Sequence, residues 1–162
     1  QGHIGIGLYE SSDVEVENFN LKSKMLHDTT VRGTILCVFH NGRGVDLNLD
    51  SHRGAPFGTL YSAIDVGKAT RVFTSGGAGG NGFPAAAYTT YWNLRAGSEG
   101  GKLIQIPSKT ALGECTYGTK LAFQGKFVGK GCKSYYMSKK KTPEPADLFA
   151  SQVYKRLSGI SS

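Results

Sequence analysis

Ionisable side chains are concentrated in one stretch, residues 45–74, with the sequence VDLNLDSHRGAPFGTLYSAIDVGKATRVFT. It contains Asp50, His52, Arg53, Asp65 and Arg71. Histidine exchanges a proton near neutral pH, and the arginine guanidinium binds carboxylates through paired hydrogen bonds. Side chains of these types could carry out proton transfer beside a bound carboxylate. Four of them are therefore candidate catalytic residues: Asp50, His52, Arg53 and Arg71.

Two short runs must position this set, Val45–Asp50 and Thr59–Val66. In the first run, Val45, Leu47 and Leu49 alternate with polar residues. This alternation predicts a strand with one apolar face, and the second run repeats the pattern less regularly. The candidate side chains therefore lie at or near the ends of strands.

The rest of the chain reads as further short strands. Glycine accounts for 23 of 162 residues, about twice the usual share of ~7%. Some strand-like runs are separated by intervals near the ~20–30 residues of a solenoid repeat. The run Thr34–Phe39 is apolar on both faces, which favours parallel pairing. We therefore predict parallel β-helix coils over residues 1–141, with a glycine-rich surface loop at 74–84.

The last segment has a different pattern. Thr142-Pro143-Glu144-Pro145 is typical of a helix start, apolar residues follow at helical spacing, and Gly159 is typical of a helix end. These signals predict one amphipathic helix over residues 142–159. We expect it to cover an end or a flank of the β structure.

Charge limits the choice of partner. The net charge is +7, and Lys139-Lys140-Lys141 contributes a basic run. A basic surface favours an acidic polysaccharide or nucleic acid, and the alternative is a solvated C-terminal surface. No recognition helix or RNA-binding motif supports nucleic acid. No apolar run approaches the ~18–20 residues of a membrane span, so no membrane partner is expected.

The ends and the cysteines leave alternatives open. The chain starts inside a strand-like run without Met, which favours a C-terminal piece whose upstream part is a separate chain; a trimmed mature terminus is the alternative. Cys115 and Cys132 could form a disulfide. Cys37 is then either a core thiol or a disulfide partner of a missing upstream piece.

Three segments resemble a known family. Residues 11–19, SSDVEVENF, are similar to the repeated rung Ser-x-Asn-Val-x-Val-x-Asn-Phe of pectate-lyase-like right-handed parallel β-helix proteins. The block from His27 to Gly77 resembles the last coils of secreted members, through residues 50–56 (DSHRGAP), residues 65–67 (DVG), Arg71 and residues 75–77 (SGG). Residues 145–157 resemble their closing helix.

The resemblance implies the C-terminal portion of a secreted right-handed parallel β-helix enzyme that acts on polysaccharides containing uronic acids. A lyase would use a base beside the carboxylate and positive groups to stabilise the enolate. The resemblance extends the candidate set to substrate-binding residues, namely His27, Asp65, Trp92 and Lys120. The fold also hosts hydrolases and non-catalytic binding proteins, so both remain alternatives. An inverting hydrolase would use two of Asp46, Asp50 and Asp65.

No cofactor is expected, although the resemblance also allows Ca²⁺ bound by Asp46, Asp50 and Asp65. Purely structural roles are the competing interpretation of the candidates. Asp50 would cap a turn, His52 and Arg53 would lock their loop to Asp65, and Arg71 would pair with Asp65. His40 is expected at a turn surface, and Trp92 either stacks on sugar or lies in the core.

Overall fold

A computed structural model describes residues 2–52, 54, 56–73, 88–97, 104–106, 120–123, 125–127, 136–137 and 143–159. Within them the chain forms short strands and one C-terminal helix, α1 (Leu148–Leu157). The strands are β1 (Ile4–Tyr9), β2 (Glu15–Glu17), β3 (Asn20–Leu21), β4 (His27–Arg32), β5 (Val38–His40), β6 (Arg43–Gly44), β7 (Leu49–Ser51), β8 (Leu60–Ser62), β9 (Thr90–Leu94), β10 (Ile104–Ile106), β11 (Lys120–Phe123), β12 (Gly125–Phe127) and β13 (Tyr136–Met137). A mainly β chain with one C-terminal helix is therefore confirmed.

Strands that follow one another in the chain enter different sheets. One sheet has the order β1-β4-β7, and a second has the order β13-β11-β9-β8-β5-β2. Smaller sheets join β3 to β6 and β10 to β12. All of these pairs are parallel, so the predicted parallel pairing is confirmed.

The first two layers are offset by the same number of residues in three of the sheets. Ile4 lies opposite His27, and Glu15 lies opposite Val38. Asn20 likewise lies opposite Arg43. This first offset of 23 residues is close to one solenoid repeat; later offsets differ, such as 22 residues from Val38 to Leu60 and 30 from Leu60 to Thr90. The arrangement is compatible with a parallel β-helix.

The core is filled by side chains that stack from layer to layer. Phe39, Tyr61 and Tyr91 are register partners on β5, β8 and β9. Their rings stack with centroids 5.1 Å apart in each pair. Burial raises the pKa of both tyrosines, so they remain neutral core groups. Cys37, two residues before Phe39 in the sequence, is a buried free thiol.

The turns between strands also repeat in register. One row of residues with φ between 50° and 55° lies at the carboxyl ends of β2, β5, β8 and β9, and consists of Asn18, Asn41, Ala63 and Asn93. Asparagine tolerates this left-handed conformation better than other residues with a side chain. Asn41 also donates a side-chain hydrogen bond to Asn18. Ala63 is the one member of this row that is not asparagine, and its side chain cannot form a hydrogen bond.

Two predicted elements require correction. Thr34–Phe39 is not a strand buried on both faces, because Ile35 and Leu36 are exposed at a turn and β5 begins only at Val38. Leu36 itself has a positive φ of 54°, outside the extended region that regular strands occupy. The helix does not begin at Thr142 but at Leu148, because the side chain of Asp147 accepts hydrogen bonds from the Phe149 and Ala150 amides.

Other predictions fall outside the described residues. These are the glycine-rich loop at 74–84, the pairing of Cys115 with Cys132, and the surface role of Lys139–Lys141. No helix in the described part of the chain has the length and apolar character needed to cross a membrane.

Ala63 provides a test of the left-handed turns. We expect Ala63→Gly to raise the free energy of unfolding by about 0.5–1 kcal/mol, because glycine has no Cβ to strain at positive φ. Urea denaturation would measure it. The matched control, Ala63→Val, should be less stable than the native chain. A glycine variant of lower stability would contradict the assignment of strain to this position.

Candidate functional site

The first candidate cluster is organised by Asp50 on β7. Thr30 on β4 is its register partner, and the Thr30 hydroxyl donates a hydrogen bond of 3.0 Å to Asp50 Oδ2. Asp50 is completely buried. A buried carboxylate is costly unless positive or hydrogen-bonding groups surround it, so its neighbours define what the cluster can do.

Two histidines contact the same carboxylate oxygen. His52 Nε2 lies 2.8 Å from Asp50 Oδ2, and His27 Nδ1 lies 2.9 Å from it. The two imidazole rings are 5.0 Å apart in an edge-to-face arrangement. The side chain of His52 is 21% exposed, which gives the cluster an accessible edge. The structure thus brings together Asp50, His52 and His27, three of the residues selected from the sequence.

The contact with Asp50 does not satisfy the hydrogen-bonding capacity of His27. Its Nδ1 is buried and has no aligned hydrogen-bond partner, although Asp50 Oδ2 is only 2.9 Å away. The ring of His3 packs edge-to-face on its other side, with centroids 5.3 Å apart. His27 does not pair with its sequence neighbour Asp28, which is engaged by Arg71.

Arg71 belongs to a second, adjacent set of charges. Its guanidinium forms an ion pair with Asp28 and donates to the backbone carbonyls of Met25 and Leu26 at 2.7 Å and 2.9 Å. Its Nε lies 3.8 Å from Asp46. The expected structural partner, Asp65, is not among these contacts. Arg71 therefore fixes the segment before β4 to the segment after β8.

Asp46 is held as an anion in the same region. Burial disfavours its charge, but hydrogen bonds from Thr70 and Lys24 outweigh that effect, so the pKa of Asp46 is lowered. Asp65 instead accepts a hydrogen bond of 2.9 Å from the Gly67 amide, at a turn. Among the described residues, the groups with clustered metal-ligand atoms include neither Asp46 nor Asp65. The three aspartates considered for Ca²⁺ thus have different partners.

The remaining candidates lie away from the Asp50 cluster or outside the described residues. Trp92 on β9 is half-buried, and its Nε1 donates a hydrogen bond of 2.6 Å to the Pro145 carbonyl. Arg53 lies outside the described residues, and so does the side chain of Lys120, the first residue of β11. His52 pairs with Asp50 rather than with Asp65.

A second cluster surrounds His40, which is buried and not at a turn surface as expected. His40 Nδ1 lies 2.9 Å from Asp147 and Nε2 lies 2.9 Å from Glu15, with Glu17 further away at 3.8 Å. Burial favours the neutral ring, but the hydrogen bonds and charges of Asp147 and Glu15 outweigh it and raise the pKa of His40. Burial would raise the pKa of Asp147, but hydrogen bonds from His40, Ser62 and the Ala150 amide lower it.

This cluster fastens residues 143–147, which we call the strap, onto the largest sheet. Asp147 accepts a hydrogen bond of 2.8 Å from the Ser62 hydroxyl, and Asn93 donates one of 2.7 Å to the Ala146 carbonyl. Phe149 packs on the His40 ring. The predicted covering of a flank is therefore made mainly by the strap, since α1 contains no buried residue.

Sequence reasoning missed Thr30, Glu15 and Asp147. Thr30 becomes a neighbour of Asp50 only through an offset of about 20 residues, within the range of one solenoid repeat. Asp147 carried a usable signal, since an aspartate directly before the apolar residues of a helix is a preferred N-cap. Glu15 gave no signal beyond its place in an alternating run.

The Asp28–Arg71 pair predicts a large loss of stability on truncation. Asp28 is buried and also accepts hydrogen bonds of 2.8 Å from the Met25 and Asn48 amides. Asp28→Ala should lower the free energy of unfolding by about 3–5 kcal/mol, because it removes the ion-pair partner of a largely buried guanidinium and the acceptor of two backbone amides. Denaturant unfolding would measure it. The control is Lys24→Ala, whose side chain is 48% exposed and which should cost about 1 kcal/mol or less. Equal losses in the two variants would contradict this role.

The strap predicts a pH dependence of stability. A raised His40 pKa contributes stability below its ordinary value of 6.5, and this is lost as the pH rises through the folded value. A lowered Asp147 pKa contributes stability above its ordinary value of 3.8, and this is lost as the pH falls through the folded value. The interaction should therefore stabilise the fold most between about pH 4 and pH 6.5.

The measurement is urea unfolding at several pH values, followed by the fluorescence of Trp92, the single tryptophan. His40→Gln should show a smaller decline in stability above pH 6.5 than the native chain. Identical pH profiles for the two proteins would exclude His40 as the group responsible.

Comparisons with protein-family models, with curated proteins and with solved structures found no match for this chain.

Proposed function

We propose that this chain is part of a secreted, right-handed parallel β-helix protein of the pectate-lyase-like kind, which degrades a uronic-acid polysaccharide by β-elimination. Parallel sheets, with an offset of 23 residues between the first two layers, support the fold. The net charge of +7 supports an acidic polymer as its partner. Secretion is proposed from the sequence resemblance.

The observation that carries the proposal is the contact between His52 and the buried Asp50. Asp50 Oδ2 lies 2.8 Å from His52 Nε2, which favours the tautomer with its proton on Nε2. Nδ1 then carries the lone pair and can act as the base. The partial exposure of the ring allows a polymer to reach it. Asp50 would orient the ring and stabilise the imidazolium that forms.

The proposed step transfers the proton on the carbon next to the uronate carboxylate to His52. The electrons of that C–H bond form a double bond to the neighbouring ring carbon. The bond from this second carbon to the glycosidic oxygen breaks, and the leaving oxygen takes a proton from solvent. A positive group beside the carboxylate would stabilise the enolate-like state.

Arg53 follows His52 in the chain and is the group proposed for this stabilisation. Arg71 is a poorer choice for direct contact, because Asp28 and two backbone carbonyls engage its guanidinium. We assign Arg71 a positioning role, in which it joins the segments on either side of the cluster.

The hydrolase alternative has less support. An inverting hydrolase needs one carboxylic acid that stays protonated near neutral pH. The pKa of Asp46 is lowered, and Asp50 faces two histidines and Thr30. Asp46 is therefore better suited to remain an anion, and Asp50 Oδ2 is already in contact with these three neighbours.

Non-catalytic carbohydrate binding is a second candidate, favoured by an exposed aromatic pair. Phe57 and Tyr88 are both exposed, and their rings lie 5.1 Å apart. Exposed aromatic faces are suitable surfaces for stacking against sugars. Trp92 is less suitable, because the strap contacts its indole nitrogen.

The test is incubation of the full chain with a panel of uronic-acid polysaccharides. A lyase produces an unsaturated uronate that absorbs ultraviolet light. His52→Ala should lower this rate by about 10²–10⁴-fold, because the base is removed. The control is His3→Ala, which removes a histidine next to the cluster that is not part of the proposed His52–Asp50 pair. This variant should retain the rate.

The other outcomes identify the alternatives. New reducing ends without ultraviolet absorbance would indicate a hydrolase. Retention of the polysaccharide without product, weakened in Phe57→Ala and Tyr88→Ala, would indicate binding alone. Equal loss of rate in His52→Ala and His3→Ala would contradict the assignment of the base.

A further inference from the structure

We propose that His27, Asp50 and His52 form a binding site for one divalent transition-metal ion. One ligand atom from each of these residues lies within 4.8 Å of the other two. The proposed ligand atoms are His27 Nδ1, Asp50 Oδ2 and His52 Nε2. Binding at this site does not depend on the reaction proposed above. It also differs from the Ca²⁺ site that the family resemblance allows, which would use aspartates alone.

The spacing of the atoms suits coordination. Two ligand atoms that are each about 2.1 Å from a metal are about 3.0 Å apart at a right angle and about 3.4 Å apart at a tetrahedral angle. The carboxylate oxygen lies 2.9 Å from one imidazole nitrogen and 2.8 Å from the other. Only small side-chain movements would admit an ion.

An independent observation points to a missing ligand. Distances of this size would also fit hydrogen bonds, but His27 Nδ1 has no aligned partner. His27 is only 9% exposed, so water does not readily replace that partner. An unpaired buried polar atom costs about 1–3 kcal/mol. A metal ion would use the lone pair of Nδ1 and remove this cost.

The surroundings resemble those of known metal centres. Metal-binding carboxylates are commonly held by an outer hydrogen bond, and Thr30 donates one of 3.0 Å to Asp50. Two imidazoles and one carboxylate favour Zn²⁺, Co²⁺ or Fe²⁺ over Ca²⁺ and Mg²⁺, which prefer oxygen ligands. Three protein ligands leave positions open for water or substrate, as in catalytic sites.

The His40 cluster is a weaker candidate for metal binding. Its ring nitrogens are both engaged, Nδ1 by Asp147 and Nε2 by Glu15. Its two glutamates, Glu15 and Glu17, are exposed. His40 therefore offers a control in the same chain.

Metal binding would change the role of His52. Coordination through Nε2 leaves the proton on Nδ1, so a metal-loaded site cannot use that nitrogen as a base. The ion could instead act as a Lewis acid on the uronate carboxylate, a use that rests on the proposed function. Activity with and without metal separates the two uses, while the binding measurement is independent of both.

The experiment uses the full chain, stripped with a chelator and with accessible thiols alkylated. Calorimetric titration with Zn²⁺ should show one site, and Co²⁺ should give a visible absorption spectrum at one equivalent. His27→Ala and His52→Ala should each weaken Zn²⁺ binding by about 100-fold or more, because each removes a direct ligand. His3→Ala and His40→Ala should bind as the native chain does.

Circular dichroism would establish that each variant is folded. His52 is the more exposed ligand, so His52→Ala keeps the test decisive if His27→Ala does not fold. No stoichiometric binding by the native chain would overturn the proposal. Unchanged binding in His52→Ala would overturn it as well, whatever the result of the activity assay.

Discussion

The structure depends on parallel pairing that keeps its register from one layer to the next. Because each layer must turn at equivalent places, residues such as Asn18 and Asn41 adopt the same left-handed conformation. Because equivalent side chains then lie above one another, Phe39 stacks on Tyr61 and Thr30 meets Asp50. Core packing and the candidate site are both consequences of this one constraint.

Local patterns predicted much of the fold but not its register. Alternating runs revealed the strands, and Asp50 and His52 could be selected because both lie in one short charged stretch. The partner of His27 could not be selected, because it depends on the number of residues in each layer. That number differs along the stack: Val38 pairs with Leu60, and Leu60 pairs with the more distant Thr90. Neighbouring charges in the sequence, such as His27 and Asp28, proved poor guides to ion pairs.

The two histidine clusters differ in the ratio of imidazole to carboxylate. In one, two rings share one oxygen of the buried Asp50; in the other, one ring lies between Asp147 and Glu15. Surplus negative charge favours a protonated ring, which suits a structural ion pair. Surplus imidazole leaves nitrogen lone pairs, which suit proton transfer or coordination. The same residue types thus hold the strap in one place and support chemistry in the other.

The strap also has a consequence for the order of folding. Its contact between His40 and Asp147 joins residues 107 positions apart, whereas the paired strands join residues of adjacent layers. Closing so long a loop is entropically unfavourable until the intervening layers are in place. The binding surface of the strap includes Ser62 and Asn93, which lie in different layers. Docking of the strap would then be a late step on the folding pathway, and the unfolding rate would reflect how readily this segment detaches.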